Sequence, residues 1–255
     1  MSDEHKFCSI IVTHHSPNED RSNIMQRSLL SLAEVINYPY ELIVIDNGGS
    51  ETDSSFLMQL ADRGVITTYV KNARNMHFGY ARGQGISLAQ GDYIAIIDND
   101  ILHKKDWITR CIKILEDNPD KKWYGTPLDY PQDAKYNGIV RYRAEKLMID
   151  GEECSLNTRA GSNAFVIRLE DLREIGGFPV HRIAGTKWTD RAVRKFYKAL
   201  VLPNGYAEDV GLRIGYNLNE IKPVFIEFKD GTKVHFNRDE IKFSAPNLRD
   251  QRTLL

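Results

Sequence analysis

The sequence predicts an α/β protein built on a doubly wound, mostly parallel sheet, and two observations lead to this prediction. In the first 120 residues, short aliphatic and β-branched runs alternate with segments whose apolar residues recur at helical spacing. Turn-forming residues such as Asn47, Gly48 and Gly49 close the runs. Because alternating strands and helices pack as a parallel sheet with helices on both faces, the first half of the chain should form such a sheet.

The elements of the first half follow one another in a regular order. A strand at residues 7–13 precedes a helix at 23–35, whose leucines and isoleucine recur as in a helix packed on a sheet. The remaining elements predicted in this half are strands at 41–46, 65–70 and 93–98 and helices at 52–63 and 80–90. Ligands bind such sheets outside the carboxyl ends of the strands, so the polar residues there are the first candidates for a site.

Beyond residue 120 the regular alternation ends. Residues 123–142 are rich in Tyr, Pro, Gly and Asn, which predicts short strands and loops. The later predicted elements are a strand at 162–167, a helix at 170–175 stopped by Gly176 and Gly177, a basic segment at 180–203, a helix at 208–216, and strands at 224–228 and 233–236. We therefore expect a smaller mixed sheet in this half.

Composition narrows the functional classes. The net charge of -1 provides no overall field that would attract nucleic acid, so no nucleic-acid partner is expected. The three cysteines show no CxxC spacing, which argues against a disulfide framework or a thiolate metal site. The apolar runs are shorter than the roughly 18 residues that a membrane span needs. These features predict a cytoplasmic protein, soluble or peripheral at the inner face of a membrane.

Asp98, Asn99 and Asp100 follow a buried apolar strand and are the strongest chemical signal in the sequence. In an extended backbone, residues two apart face the same side, so the carboxylates of Asp98 and Asp100 can converge on one hard cation. The competing interpretation is a solvated turn. A phosphatase of the haloacid-dehalogenase class also uses such a motif, but there it normally continues with Gly-Thr on the first strand, whereas Ile101 and Leu102 follow here.

Five stretches, in order, give the chain a wider resemblance. They are SIIVT at 9–13, ELIVIDNGGSETD at 41–53, NMHFGYARGQGISLAQGDYIAIIDND at 75–100, GSNAFVIR with EIGGF at 161–168 and 174–178, and AEDVGLR at 207–213. With these motifs the chain resembles the family 2 glycosyltransferases, inverting enzymes with a GT-A fold that use nucleotide-sugar donors. The resemblance implies one domain over 1–255, with a nucleotide-sugar-binding half at 1–120, an acceptor-binding half at 121–240 and a tail at 241–255.

The resemblance also implies the residues that bind the donor. Thr13 would line the base pocket, and Asp46 would accept a hydrogen bond from uracil. An Asx-type turn before Gly48 is the alternative role for Asp46. The other residues implied to contact the donor are His14, Asn75, Gly79, Arg82, Asp98 and Asn99. Small residues such as Gly79 let the backbone approach the donor, and Arg82 would pair with phosphate unless it lies on a helix surface.

The carboxylates have two implied roles. Asp98 and Asp100 would hold Mn²⁺ or Mg²⁺ against the diphosphate, with His235 as a third metal ligand or a structural histidine. Asp209 would be the general base, and Glu208 would orient a loop or helix end. The pair could instead be an acidic helix cap. Gly211 stands where relatives often have a further Asp.

Acceptor contacts are assigned to two residues. Asn163 lies in the GSNAFVIR stretch, and Trp188 could stack on a sugar ring or pack in a loop. The segment 180–203 carries six basic side chains, all within 182–198, against Asp190, and its Val193, Phe196 and Leu200 recur at helical spacing. This segment is interpreted as a lid over the diphosphate, a contact to a lipid phosphate or peripheral membrane surface, or a solvated helix face.

The resulting hypothesis is an inverting, metal-assisted transfer from a nucleoside-diphosphate sugar, foremost a UDP-sugar, to a hydroxyl of a saccharide or lipid-linked glycan, as in polysaccharide biosynthesis. The alternative is a catalytically silent module that binds nucleotide-sugars. The sequence does not identify the sugar or the acceptor, since loops without a local code determine both.

Overall fold

The computed structural model describes residues 6–16, 19–128, 145–179, 184–210, 224–227 and 233–236. For 19–20, 224–227 and 233–236 it describes the backbone alone. The predicted tail at 241–255 lies outside the described residues, as do most of the loops predicted at 123–142.

Thirteen strands occur in the described part of the chain: β1 (Cys8–His14), β2 (Tyr40–Asn47), β3 (Thr68–Asn72), β4 (Tyr93–Asp98), β5 (Ile101–His103), β6 (Trp123–Thr126), β7 (Glu145–Ile149), β8 (Glu152–Asn157), β9 (Ala164–Arg168), β10 (Lys198–Val201), β11 (Ala207–Asp209), β12 (Val224–Glu227) and β13 (Lys233–Phe236). The helices of that part are α1 (Glu19–Val35), α2 (Glu51–Asp62), α3 (Phe78–Leu88), α4 (Trp107–Asp117), α5 (Leu169–Ile175) and α6 (Ala184–Arg194).

Nine of these strands form one sheet in the order β3-β2-β1-β4-β9-β6-β10-β8-β7. The first four strands of that order are parallel, as predicted, and their carboxyl ends meet at one edge, with Thr13 opposite both Ile45 and Asp98. We call this the catalytic edge. Beyond β4 the sheet is mixed, because β9 is antiparallel to β4 and to β6 while β10 is parallel to β6. The mixed strands of the second half thus extend the main sheet.

Two small ribbons accompany the sheet. β11 pairs antiparallel with β5, and β12 pairs antiparallel with β13. Two apolar clusters fill the space between the sheet and its helices. One lies under α1, α2 and α4, and the other lies under α3, α5 and α6. Helices therefore cover both faces, as a doubly wound fold requires.

The structure corrects the helical interpretation of residues 193–200. α6 ends at Arg194, Phe196 has a φ of 66° and an 85% exposed side chain, and β10 begins at Lys198. Leu200, which was expected on a helix face, is buried on β10 between β6 and β8. Pairing with two strands of the sheet overrode the helical spacing there.

The helix predicted at 208–216 is wrong for its first two residues. Glu208 and Asp209 lie on β11 and pair with β5, while residues 211–216 lie outside the described chain. β5, α4 and the β7–β8 hairpin were not predicted from the sequence. The hairpin turns at Asp150 and Gly151, which have φ values of 50° and 80° and suit the tight turn that an Asp-Gly pair favours.

Candidate functional site

Asp98 and Asp100 leave β4 at the catalytic edge, and each is paired with an arginine. Arg82 of α3 donates from Nη2 to Oδ1 of Asp98, and Arg21 of α1 donates from Nη1 to Oδ2 of Asp100 at 2.9 Å. Burial raises the pKa of Asp98, Arg82 lowers it, and the charge of Asp100 raises it again, with a net upward shift. The two carboxylates are therefore close enough to repel one another.

Arg82 is a core residue, so its interpretation as a surface helix residue is wrong. Its side chain is 1% exposed, and its guanidinium carbon lies 4.9 Å from the ring centroids of both Phe78 and Phe178. Within the described residues, Nε and Nη1 of Arg82 have no hydrogen-bond partner. Buried donors of this kind are costly unless something binds them, which fits a group that meets an anionic ligand beside Asp98.

Asp46 is fully buried at the end of β2, and its carboxylate is engaged by the protein itself. Oδ1 accepts from the backbone N–H of Gly49 at 2.7 Å, and Oδ2 accepts from Ser54 Oγ at 2.6 Å and Tyr69 OH at 2.9 Å. The bond to Gly49 closes an Asx-type turn, which was the alternative role for Asp46. A contact with a base would have to use the remaining acceptor capacity of this carboxylate.

Asn75 and Gly79 are engaged within the protein in the described structure. Oδ1 of Asn75 accepts from Asn47 Nδ2 at 3.0 Å and from the backbone N–H of His77 at 2.9 Å, so Asn75 fixes the loop that leads into α3. A Cβ at Gly79 would collide with the carbonyl oxygen of Pro179. The small size of Gly79 thus serves the close approach of residue 179, and its contact with the donor stays a prediction.

His14 and Thr13 lie at the end of β1. Thr13 is buried beside Asp98, while His14 is wholly enclosed, with Nε2 3.1 Å from Asp53 Oδ2 and Nδ1 3.0 Å from Asn99 Nδ2. The structure therefore links His14 to the middle residue of the Asp98–Asp100 run. It shows no open surface of His14 against which a base could pack.

Asp209 and Glu208 lie on β11 and face opposite sides, because successive residues of a strand alternate. Asn163 donates from Nδ2 to Oδ2 of Asp209. The backbone carbonyl oxygen of Asn163 accepts a hydrogen bond from the backbone N–H of Asp98 at 2.7 Å. Glu208 instead pairs with Lys104, with Nζ and Oε2 2.6 Å apart. The sequence predicted divergence on a helix, and the strand produces it more strongly.

The backbone ties Asp209 to the carboxylates after β4. Asp209 pairs with Ile101, and the N–H of Val210 donates to the carbonyl of Asp100 at 3.0 Å. Asp98, Asp100, Asp209 and Asn163 are thus brought together on neighbouring strands at the catalytic edge.

This sequence matches the family model described as glycosyl transferase family 2 over residues 9–175. The chain belongs to that family. It is 30% identical over 82 residues to the glucosyl-dolichyl phosphate glucuronosyltransferase of Haloferax volcanii, a match that covers 32% of this chain and 26% of that relative. The matched segment thus spans about a quarter of the relative's length.

Solved structures of glycosyltransferases share the fold of this family 2 chain. GalNAc-T7 with UDP, GalNAc and Mn²⁺ superposes with a TM-score of 0.60 at 15% identity, covering 79% of this chain and 43% of that one. The mannosyltransferase PcManGT of Pyrobaculum calidifontis, with GDP-Man and Mn²⁺, superposes with a TM-score of 0.57 at 20% identity, covering 80% of this chain and 56% of that one. These likenesses confirm the predicted GT-A fold.

The donor set of the family 2 chain fits a divalent cation. Mg²⁺ and similar ions are commonly held by one or two carboxylates and completed by phosphate oxygens, and Asp98 and Asp100 supply such a pair. In the described residues no group of three or more His, Cys, Asp or Glu side chains is arranged to hold a metal ion. His235 lies on β13, but its side chain is outside the described structure, so its role as third ligand stays a prediction.

Trp188 was expected at the acceptor, and the structure places it in the core. It is 0% exposed and stacks against Phe165 and Phe178, with centroid distances of 4.6 and 5.3 Å, while Tyr124 meets it edge-on. An enclosed ring cannot stack on a sugar, so the expected acceptor contact of Trp188 is wrong, and packing was the alternative.

The basic end of α6 lies away from the catalytic edge. β10 is parallel to β6 and starts beside Trp123, at the same edge where β4 begins at Tyr93. The turn that carries Arg194 and Lys195 is therefore opposite the site, which argues against a lid formed by these residues. Arg182 lies outside the described chain. Among the described helices, none is long and apolar enough to cross a membrane.

Two residues of the site were not singled out from the sequence. Arg21 has no local signal, because its partner Asp100 is 79 residues away. Asp53 did have one, since Ser50 and Asp53 stand at the spacing of a helix N-terminus, and Ser50 Oγ accepts from the Asp53 backbone N–H at 3.1 Å.

Proposed function

We propose that this chain is an inverting glycosyltransferase that moves a sugar from a nucleoside-diphosphate sugar to a hydroxyl of a saccharide or lipid-linked glycan. A UDP-sugar is the first donor to test, since GalNAc-T7 holds UDP. A GDP-sugar is the second, since PcManGT holds GDP-Man. The Haloferax volcanii relative is a glucosyl-dolichyl phosphate glucuronosyltransferase, which supports a lipid-linked acceptor.

The observation that carries this proposal is the position of Asp209. Ladder pairing with Ile101 and the bond from Val210 to Asp100 hold an acceptor-side carboxylate next to the carboxylates that follow β4. An inverting transfer needs a base on the acceptor side while the diphosphate leaves from the other side of the sugar.

Asp209 is proposed as the residue that takes the proton from the attacking hydroxyl. Asn163 fixes one of its oxygens with a hydrogen bond, so the carboxylate is oriented before the acceptor arrives. Glu208 has another task, because its contact with Lys104 secures the opposite face of β11 to the turn after β5.

Asp98 and Asp100 are proposed to hold Mn²⁺ or Mg²⁺. When bound, such an ion would neutralise the charge that develops on the leaving diphosphate. Arg82 and Arg21 each contact one oxygen of these carboxylates, and no hydrogen bond to the second oxygen of either occurs between described residues, which supports cation binding there. Nε and Nη1 of Arg82 have no hydrogen-bond partner within the described residues, which supports a contact of Arg82 with phosphate.

The experiment is a turnover assay for nucleoside-diphosphate release from UDP- and GDP-sugars, with Mn²⁺, Mg²⁺ or EDTA, together with calorimetric titration of UDP and GDP. We expect metal-dependent binding of one nucleotide and turnover with a saccharide or lipid-linked acceptor. Asp100→Ala should abolish metal-dependent nucleotide binding and turnover. The matched control is Asp62→Ala, which removes an exposed carboxylate at the end of α2. Metal-dependent binding without turnover on any acceptor would favour the silent module. Full turnover of Asp100→Ala would overturn the metal site.

A further inference from the structure

His14 occupies an unusual position, enclosed between a buried carboxylate and the donor side of the site. Its side chain and that of Asp53 are both fully buried. The two imidazole nitrogens face different partners, Nε2 towards Asp53 Oδ2 at 3.1 Å and Nδ1 towards Asn99 Nδ2 at 3.0 Å. A single ring thus bridges the start of α2 and the turn after β4.

The Asp53 side of this bridge is built to stay ionised. Burial alone would raise the pKa of Asp53, but the contact with His14 and the hydrogen bond from Ser22 lower it to about 2. His14 Nε2 and Asp53 Oδ2 lie 3.1 Å apart, although neither atom makes an aligned hydrogen bond within the described residues. Gly49 leaves room for the ring, since a Cβ there would lie 2.8 Å from His14 Nε2. A buried carboxylate facing Nε2 favours a proton on that nitrogen.

The other side follows from this proton. With hydrogen on Nε2, Nδ1 of the neutral ring is an acceptor, which matches the Asn99 Nδ2 that faces it. The amide oxygen of Asn99 must then point away from His14, and within the described residues no hydrogen bond to this oxygen is made. Asn99 lies between Asp98 and Asp100 and is half-buried, so this oxygen belongs to the catalytic edge.

We propose that His14 and Asp53 are positioning residues that fix the amide of Asn99 with its carbonyl oxygen towards the donor, where it accepts a hydrogen bond from a hydroxyl of the nucleotide-sugar. This inference rests on the proposed function and specifies which atom of Asn99 meets the donor and which residues orient it. If the His14 ring carried its proton on Nδ1, the Asn99 amide would rotate and turn its NH₂ group towards the donor. An NH₂ group cannot accept a hydrogen bond from a hydroxyl of the nucleotide-sugar. The tautomer of a buried histidine thus sets what the site offers.

The test is a double-mutant cycle between positions 53 and 99. In Asp53→Asn, the new amide can donate to Nε2, the proton moves to Nδ1 and the Asn99 amide turns. We expect the donor KM and the nucleotide Kd to rise about tenfold, with a smaller change in kcat. In an Asn99→Asp background, position 99 presents an oxygen in either orientation, so Asp53→Asn should change KM less than about twofold there.

A control separates positioning from plain stability. Ser22→Ala removes the hydrogen bond from the Ser22 hydroxyl to Asp53 Oδ1 but leaves His14 with its carboxylate partner. We expect Ser22→Ala to lower the melting temperature while the donor KM stays at the wild-type value. Equal KM increases for Asp53→Asn in both backgrounds would mean that Asp53 acts only through the fold, and the proposal would be wrong.

A second readout needs no activity. Nitrogen-15 NMR of the His14 ring in the unliganded protein should show a neutral ring with hydrogen on Nε2, and hydrogen on Nδ1 in Asp53→Asn. A doubly protonated ring, or hydrogen on Nδ1 in the wild type, would overturn the proposal. A chain with this spectrum that binds no nucleotide-sugar would instead overturn the proposed function and its donor contact, so the two failures are distinguishable.

Discussion

The donor side and the acceptor side of the candidate site are held in different ways. On the donor side, Asp46 is fixed by Gly49 and Ser54, which are three and eight residues away. On the acceptor side, Asp209 is fixed by Asn163, 46 residues away, and by pairing with β5. The turn at Asp46 can be recognised as a sequence pattern. Asp209 is positioned only when distant strands have assembled, and the same holds for the donor-side contacts of Asp46 with Tyr69 and of Asp100 with Arg21.

The largest expected effect tests the acceptor side directly. Asp209→Asn keeps the shape of the side chain and its contact region but removes the base, so kcat should fall about a thousandfold. The matched control is Glu208→Gln, one residue away on the opposite face of β11, which should stay within about threefold of the wild type. Steady-state kinetics of both variants would decide, and a larger loss for Glu208→Gln would reverse the assignment.

The next effect concerns the aromatic core around Trp188. Trp188→Ala removes a ring that is stacked between Phe165 and Phe178. The free energy of unfolding, measured by urea denaturation, should therefore fall by about 3 to 5 kcal/mol. Trp188→Phe should lose less, because a ring is kept. If Trp188→Ala had wild-type stability but a raised acceptor KM, Trp188 would belong to the acceptor site after all.

The smallest effect separates the two sides by their response to acid. Burial lowers the pKa of His103 on β5 to about 3. Between about pH 6.5 and 3 the unfolded chain therefore binds a proton that the folded chain does not, and stability falls by about 1.4 kcal/mol per pH unit as the pH falls. On the donor side, the pKa of Asp53 is lowered from 3.8 to about 2, so its stabilising contribution is lost only below about pH 4.

His103→Gln measures this difference. Trp107 Nε1 donates to His103 Nδ1 at 2.9 Å, and a glutamine keeps an acceptor for that bond. Urea unfolding at pH 7 and pH 5 should show the wild type losing about 2 kcal/mol more than the variant. Parallel losses in both proteins would show that His103 does not titrate on unfolding in this range.

What the sequence could predict follows the same division. The parallel strands, the turn at Asn47 and Gly48 and the Asp98–Asp100 run were recognised because each depends on residues close in the chain. β10 was mistaken for helix because Val193, Phe196 and Leu200 happen to have helical spacing, while sheet pairing decides its structure. The Asp150–Gly151 turn carried a readable hairpin signal that was not used.

The roles of single side chains were harder to predict. Arg21 meets Asp100 across 79 residues, and the enclosure of Trp188 depends on rings from β6, β9 and residue 178. Arg82 could be a surface residue or a site residue by sequence, and only the two phenylalanine rings around it identify it as buried. Such environments are properties of the assembled fold.

The β5–β11 ribbon also bears on how such an enzyme can diversify. Main-chain hydrogen bonds, which any side chain except proline permits, set the spacing between Asp209 and the carboxylates after β4. Substitutions in the surrounding loops can therefore alter which sugar or acceptor fits while the reacting groups keep their separation. Because the backbone sets the distance between the reacting groups, substrate specificity can change during evolution without moving them.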